Sequence, residues 1–150
     1  MNIVLYQPEI PHNTGAIGRT CLVTNSALHL IHPLGFFLDE KSVKRSGMDY
    51  WHRLKVHEYD SFDDFLESNF ISDIFFVETG GDKKYTEVNY SKNCFLVFGS
   101  EKAGLPDSIL YKYKDYVVHI PMIKGERSLN LSVTVGIVLY EALRQTGFFK

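Results

Sequence analysis

The chain is poor in cysteine and proline, nearly balanced in charge, and without a long apolar run. Of its 150 residues, two are cysteine, five proline and one tryptophan. Cys21 and Cys94 alone cannot staple a secreted scaffold, which predicts a reducing, cytoplasmic setting. The opening Met1-Asn2-Ile3-Val4-Leu5-Tyr6 carries no basic n-region, so no signal peptide is expected. The longest apolar stretch, 131–140, is broken by Ser132, Thr134 and Gly136 and is too short to cross a bilayer, so no membrane partner is expected. Sixteen Lys and Arg against eighteen Asp and Glu leave a charge of −2, which excludes a histone-like coat but not a basic patch on one face.

Several chemical signatures are missing as well. No G-x-G-x-x-G dinucleotide fingerprint occurs. Gly99 and Gly104 have P-loop spacing, but Leu105-Pro106 stand where its Lys and Ser/Thr are required, which argues against an NTPase. Neither G-x-S-x-G nor H-E-x-x-H is present. His29 and His32, three apart on a strand, point to opposite faces and cannot share a metal. His52, His57 and His119 have no cysteine or carboxylate cluster beside them, so the six histidines are read as structural or solvent-facing and no metal site is predicted.

What is present is ordinary globular material, 45% hydrophobic and 23% charged, read as one domain over residues 1–150. Asn2–Tyr6, Leu28–His32, Asp73–Val77, Cys94–Phe98 and Tyr116–Ile120 have the β-branched and aromatic content of strands. Helices are expected over Thr14–Thr24 with Asn13 as N-cap, over Ser61–Asn69 with Ser61 as N-cap, from Pro106 to about Tyr113, and from about Leu129 to Thr146 with Gly147 as the stop. This alternation predicts an α/β fold, a mostly parallel sheet flanked by helices. Ile74-Phe75-Phe76-Val77 and Phe95-Leu96-Val97-Phe98 are apolar without alternation, as strands buried on both faces must be. The last helix is apolar on more than one side and needs a second surface, either the same core or another subunit.

In parallel sheets ligands bind beyond the carboxyl ends of strands. Val77, Phe98 and Ile120 each lead into a glycine-bearing loop, and three such loops are a stronger signal than one turn. Near the start, Asn13-Thr14-Gly15-Ala16-Ile17-Gly18-Arg19 sets an arginine about one and a half turns past a helix N-terminus. That arrangement suits a phosphate or carboxylate, or is simply a cap with a surface arginine. Gly15 and Gly18 would leave this helix start open to close approach. The segment 41–57 holds Lys41, Lys44, Arg45, Arg53 and Lys55 against Asp49 alone, with Tyr50 and Trp51 interleaved. It reads either as a solvated helix face or as a cationic patch whose aromatics stack on bases.

Three motifs resemble those of the SPOUT superfamily of S-adenosylmethionine-dependent RNA methyltransferases: Asn13-x-Gly15-x-x-x-Arg19; Phe98-Gly99-x-Glu101-x-x-Gly104-Leu105-Pro106; and Ile120-Pro121-Met122 followed by Ser128-Leu129-Asn130-Leu131-Ser132. Pro8-Glu9-Ile10-Pro11-x-Asn13-Thr14-Gly15, Lys44-Arg45-x-Gly47-x-Asp49-Tyr50 and Tyr140-Glu141-Ala142-x-Arg144-Gln145 are similar to the small tRNA 2′-O-methyltransferases that act on the wobble cytidine or uridine of leucine tRNAs. The resemblance covers essentially the whole chain. It implies a C-terminal trefoil knot, a homodimer, S-adenosylmethionine without metal as cofactor, and tRNA bound through its anticodon loop. It places donor contacts on Val77, Gly99, Ile120 and Ser128, with Gly104, Met122 and Leu129 close by. It gives Arg19 the central catalytic role, with Asn13, Glu101, Ser128 and Asn130 as candidates to orient it, and Lys44 and Arg45 with Arg19 on the RNA. A guanidinium with a pKa above about 12 rarely releases a proton, so Arg19 is expected to fix the ribose-phosphate and polarise the oxygen rather than act as base. The rival readings are the same fold acting at another RNA position, an RNA-binding module of that fold without catalysis, and a nucleotide-dependent metabolic enzyme.

Overall fold

The structure, a computed structural model, describes residues 1–45 and 48–148. Strand β1 (Asn2–Tyr6) leads to helix α1 (Pro11–Val23), β2 (Ala27–Ile31), α2 (Glu40–Arg45) and, after a 3-10 turn at Trp51–Arg53, β3 (Val56–Tyr59). There follow α3 (Phe62–Ser68), β4 (Ile74–Val77), the two-residue β5 (Lys83–Lys84), β6 (Phe95–Phe98), α4 (Asp107–Lys112), β7 (Val117–His119) and α5 (Leu131–Gln145). The seven strands form one sheet in the order β3-β2-β1-β6-β4-β7-β5, and every pairing is parallel. The loops after all strands therefore open on one edge, and β6 lies between β1 and β4.

Side-chain alternation splits the core in two. Ile3, Leu5, Leu28, Leu30 and Leu96 pack with Ile17 of α1 and Val135, Val138 and Leu139 of α5 on one face. Val4, Ile31, Phe76 and Val97 pack with Phe65 of α3 and Ile109 of α4 on the other. Because both faces are covered, the central strands need apolar residues at every position, and this is why their sequences do not alternate. The expected strands all form. Strands β3 and β5, not expected from the sequence, lie at the two edges and expose charged side chains, and the two apolar residues of β3 are too few to form a run.

Helix starts show what local reading can miss. Ser61 caps α3 as expected, accepting from Asp64 N at 3.1 Å. Helix α1, however, begins at Pro11 with Ile10 at the cap position, and Asn13 lies inside it. Proline at the first helical position costs no donor. The carboxylate of Glu101, from the loop after β6, accepts the neighbouring Glu9 and Ile10 N–H groups at 2.7 and 3.1 Å. Glu101 thus fixes the segment leading into α1, and the Asn13 amide, inside the helix, serves another partner. Gly147 ends α5 with φ +84°, as expected. Cys21 and Cys94 are free and buried, and burial pushes both thiols up to about 12, leaving them inert.

His29 is the one histidine deep in the fold. Nδ1 lies 2.9 Å from the Tyr59 hydroxyl and Nε2 3.3 Å from Asn2 Oδ1, with the His57 ring stacked 4.9 Å away. Burial, and secondarily the charge of His57, push it down to about 4. The unfolded chain binds this proton near the usual value of about 6.5 and the folded chain does not. Its contribution, on the order of 3 kcal/mol, is therefore complete above about pH 6.5 and is lost as pH falls toward 4. Urea unfolding at pH 7 and 4.5 should show His29→Gln losing about 2 kcal/mol less than the wild type. Parallel losses in the two proteins would contradict this assignment.

Candidate active site

The loops after β4, β6 and β7 and the first turns of α1 and α5 wall a cavity of about 610 Å³ at the carboxyl edge of the sheet. Val77, Gly99, Gly104, Ile120, Met122, Ser128 and Leu129 all line it, as do Asn13, Glu101 and Asn130. Arg19, Lys44 and Arg45 lie elsewhere.

Two carboxylates and two amides hold these walls. Glu78, directly after β4, accepts Thr79 N at 3.0 Å through Oε1 and Leu105 N at 3.1 Å through Oε2, joining the loop after β4 to the loop after β6. Glu101 joins the loop after β6 to the start of α1. Asn130 Oδ1 caps α5, accepting Ser132 N at 2.8 Å, so its Nδ2 donates to Asn13 Oδ1 at 3.0 Å. Asn13 Nδ2 is then left to donate to Glu101 Oε1 at 3.2 Å. The cap on α5 thus fixes the direction of every bond in the chain. Glu101, Asn130 and Asn13 were expected to orient Arg19; the bonds they make go to one another and to helix ends.

The glycines are also required by the fold itself. A Cβ on Gly99 would lie 2.1 Å from the Gly104 carbonyl carbon, and Gly104 itself has φ +68° with room only for the Glu78 carboxylate. Ser100 and Gly104 exchange backbone hydrogen bonds at 3.0 and 3.3 Å, folding the loop on itself. Gly99 is required by its own loop, before any ligand is considered. Gly15 and Gly18 are likewise filled from within: a Cβ at either would come within 2.9 Å of Met48 Sδ or 2.8 Å of the Trp51 ring.

That docking reorganises the cationic segment. Tyr50 is buried and its hydroxyl donates to Gly15 O, while Trp51 packs half-buried on α1. The Tyr50 ring, buried beneath Arg19, offers no free face for a base, which overturns its expected stacking role, and Trp51 keeps only part of its surface exposed. Burial raises the Tyr50 phenol above its usual range, partly offset by Arg19. The Arg19 guanidinium lies 4.4 Å from the Tyr50 ring centroid and 3.8 Å from Asp49, its side chain 63% exposed. It faces a second depression of about 460 Å³ lined by Pro11, His12, Gly15, Ala16, Met48 and Tyr50. The first turn of α1 separates this depression from the main cavity. Lys44 and Arg45 are exposed on α2, and Gly47 lies outside the described residues.

Glu78, Thr79 and Arg127 line the cavity without having been singled out, although each sits in a loop that the strand-end rule selects. The fit to S-adenosylmethionine is chemical as well as volumetric. Ile120, Met122, Leu129 and Leu131 supply apolar surface for a flat ring, and the Glu78, Thr79, Asn13 and Arg127 side chains supply polar partners. No group of three or more His, Cys, Asp or Glu among the described residues could hold a metal ion.

Gly99→Ala should lower the affinity for S-adenosylhomocysteine at least tenfold, measured calorimetrically in chelator. Amide exchange should rise at 99–105 while the sheet stays protected. Unchanged affinity would show that this loop does not shape the binding site.

The comparisons with known proteins agree with this geometry. The chain is 45% identical over 148 residues to the tRNA (cytidine(34)-2′-O)-methyltransferase of Saccharophagus degradans, covering 98% of this chain and 96% of that one. It is 42% identical over 149 residues to the Escherichia coli K12 protein of the same name, covering 99% and 95%. A structure solved to explain 2′-OH methylation of C/U34 on tRNA superposes with TM-score 0.88 at 41% identity, covering 96% of this chain and 94% of that one. The SpoU methyltransferase AviRb from Streptomyces viridochromogenes, solved with S-adenosylmethionine, superposes with TM-score 0.81 at 27% identity, covering 97% of this chain and 60% of that one. The SpoU rRNA methylase family matches residues 1–140, and this chain belongs to that family of methyltransferases.

Proposed function

We propose that the protein transfers a methyl group from S-adenosylmethionine to the ribose 2′-hydroxyl of the wobble nucleotide, cytidine or uridine 34, of leucine tRNAs. The observation that carries this reading is the near-complete coverage of relatives named for cytidine 34, by a chain whose strand-end loops wall one cavity of a size and chemistry suited to the donor. The donor binds in the cavity, against Val77, Gly99, Ile120 and Ser128, with Gly104, Met122 and Leu129 around them. S-adenosylmethionine supplies a methyl carbon on a sulfonium, so a new O–C bond forms as the C–S bond breaks and the hydroxyl proton passes to solvent.

The protein's task is alignment, which is worth several kcal/mol when two reactants are held in line. Asn13, Glu101 and Asn130 hold the cavity walls against α1, and so position rather than contact the reacting atoms. Arg19 is the catalytic residue: exposed over the second depression, its planar fork is free to hold the ribose-phosphate of the target nucleotide and polarise its oxygen. The Tyr50 ring beneath it limits where the guanidinium can go. Lys44 and Arg45 bind flanking phosphates.

The reading includes a trefoil knot and a homodimer. For the knot, the chain leaves β7 on the far side of β4, then returns to set α5 against α1 and β6. For the dimer, the α1–α5 layer leaves Val23, Val133 and Tyr140 about half exposed or more, an apolar surface in need of a partner.

Arg19→Ala should abolish turnover while leaving S-adenosylhomocysteine affinity nearly unchanged, and Arg19→Lys should restore little. Nucleoside mass mapping of tRNA after incubation with labelled donor should place the methyl on the wobble ribose. Near-normal methylation by Arg19→Ala, or label elsewhere in the tRNA, would refute the corresponding assignment.

A further inference from the structure

Tyr50 is buried and Trp51 packs its partly buried ring on α1, so a largely exposed aromatic is better placed to meet the RNA. Phe37 is 84% exposed on the loop between β2 and α2. The loop around it is anchored. Leu34 and Leu38 pack against the main core on either side, and Gly35 N donates to Pro8 O at 2.9 Å. A Cβ on Gly35 would lie 2.7 Å from Glu9 Cα, so this loop presses directly on the segment before α1. Phe37 is thus held outward by a fixed frame.

Its position relates it to the active site. The sheet is parallel, so the loop after β2 opens on the same edge as the loops that wall the cavity. Glu9 and Ile10, next to Gly35, are bonded to Glu101 of the cavity wall. Two residues of chain reach at most about 7 Å, which keeps Phe37 near that rim. Strands β2 and β6 are two strand spacings apart, about 10 Å, a span that a nucleotide neighbouring the target can bridge in an unpaired loop. Directly after Phe37, α2 buries none of its residues and exposes Lys41, Lys44 and Arg45. Asp39 is engaged at the helix start, where it accepts Ser42 N at 2.7 Å, and the three cations follow it. An exposed ring beside solvated cations matches a base beside its phosphates.

We propose that Phe37 is a stacking platform for a base adjacent to the methylated nucleotide, with Lys41, Lys44 and Arg45 on the flanking phosphates. This rests on the RNA-methyltransferase reading above. Phe70, 94% exposed between α3 and β4, lies at the opposite edge of the sheet and serves as the control.

The test uses the full-length chain, S-adenosylhomocysteine and an anticodon stem-loop carrying 2-aminopurine on either side of the wobble position. Binding should quench one of the two probes. Phe37→Ala should abolish that quenching and raise the KM for tRNA about tenfold with little change in kcat. Phe37→Trp should restore both, and Phe70→Ala should change neither. Donor affinity and oligomeric state should be the same in all four proteins. Quenching and KM unaffected by Phe37→Ala overturn the stacking assignment alone, and dissociation of the protein by that substitution assigns Phe37 to a subunit contact instead. A wild type that methylates no RNA overturns both this assignment and the reading beneath it.

Discussion

The side-chain amide of Asn13 holds the active-site edge together. It is buried, accepts from Asn130 and donates to Glu101, and through those two it reaches the start of α5 and the loop after β6. Segments 88 and 117 residues along the chain from Asn13 thus meet it at one planar group. A neutral hydrogen bond contributes about 1 kcal/mol net and one to a carboxylate about 1.5–3 kcal/mol, while leaving such groups buried and unpaired costs a similar amount again. Aspartate in its place would set a second carboxylate against Glu101 and remove the donor. The cavity walls are therefore fixed by the apoprotein's own bonds, and a ligand entering them need not order them.

The parallel sheet makes this economy possible. All seven strands run the same way, so each loop that follows a strand opens on one edge, and polar groups from distant segments meet there without long excursions. Glycine supplies the close approaches, at Gly99 and Gly104 within a single loop and at Gly15 and Gly18 where Met48 and Trp51 dock on α1. The same docking places Tyr50 under Arg19. Arg19 and the main cavity are thus referenced to one rigid element, helix α1, from different sides.

Much of this was legible in the sequence, for reasons that are local. Strands β1, β2, β4, β6 and β7 are buried on both faces, so burial alone writes their apolar runs. Edge strands β3 and β5 are half or fully exposed and write no such run. The motifs around Gly99, Ile120 and Asn130 pointed to the loops that meet at the cavity. What they could not reveal was the division of labour. Asn13 looked like an N-cap because nothing near it in sequence announces Glu101, eighty-eight residues on. Tyr50 and Trp51 looked like RNA contacts because the glycines that receive them lie on another element. Exposure of a side chain is settled by tertiary partners, and so Phe37, an unremarked residue in the sequence, stays exposed at the cavity edge of the sheet while Tyr50 is buried.

The central claim is that one oxygen, the wobble 2′-hydroxyl of a leucine tRNA, receives the methyl group. The most direct measurement compares labelled methyl incorporation into full-length leucine tRNA, the same tRNA with a 2′-deoxy wobble nucleotide, and an unrelated tRNA. The account predicts incorporation into the first and none above background into the other two. Equal incorporation into all three would contradict it.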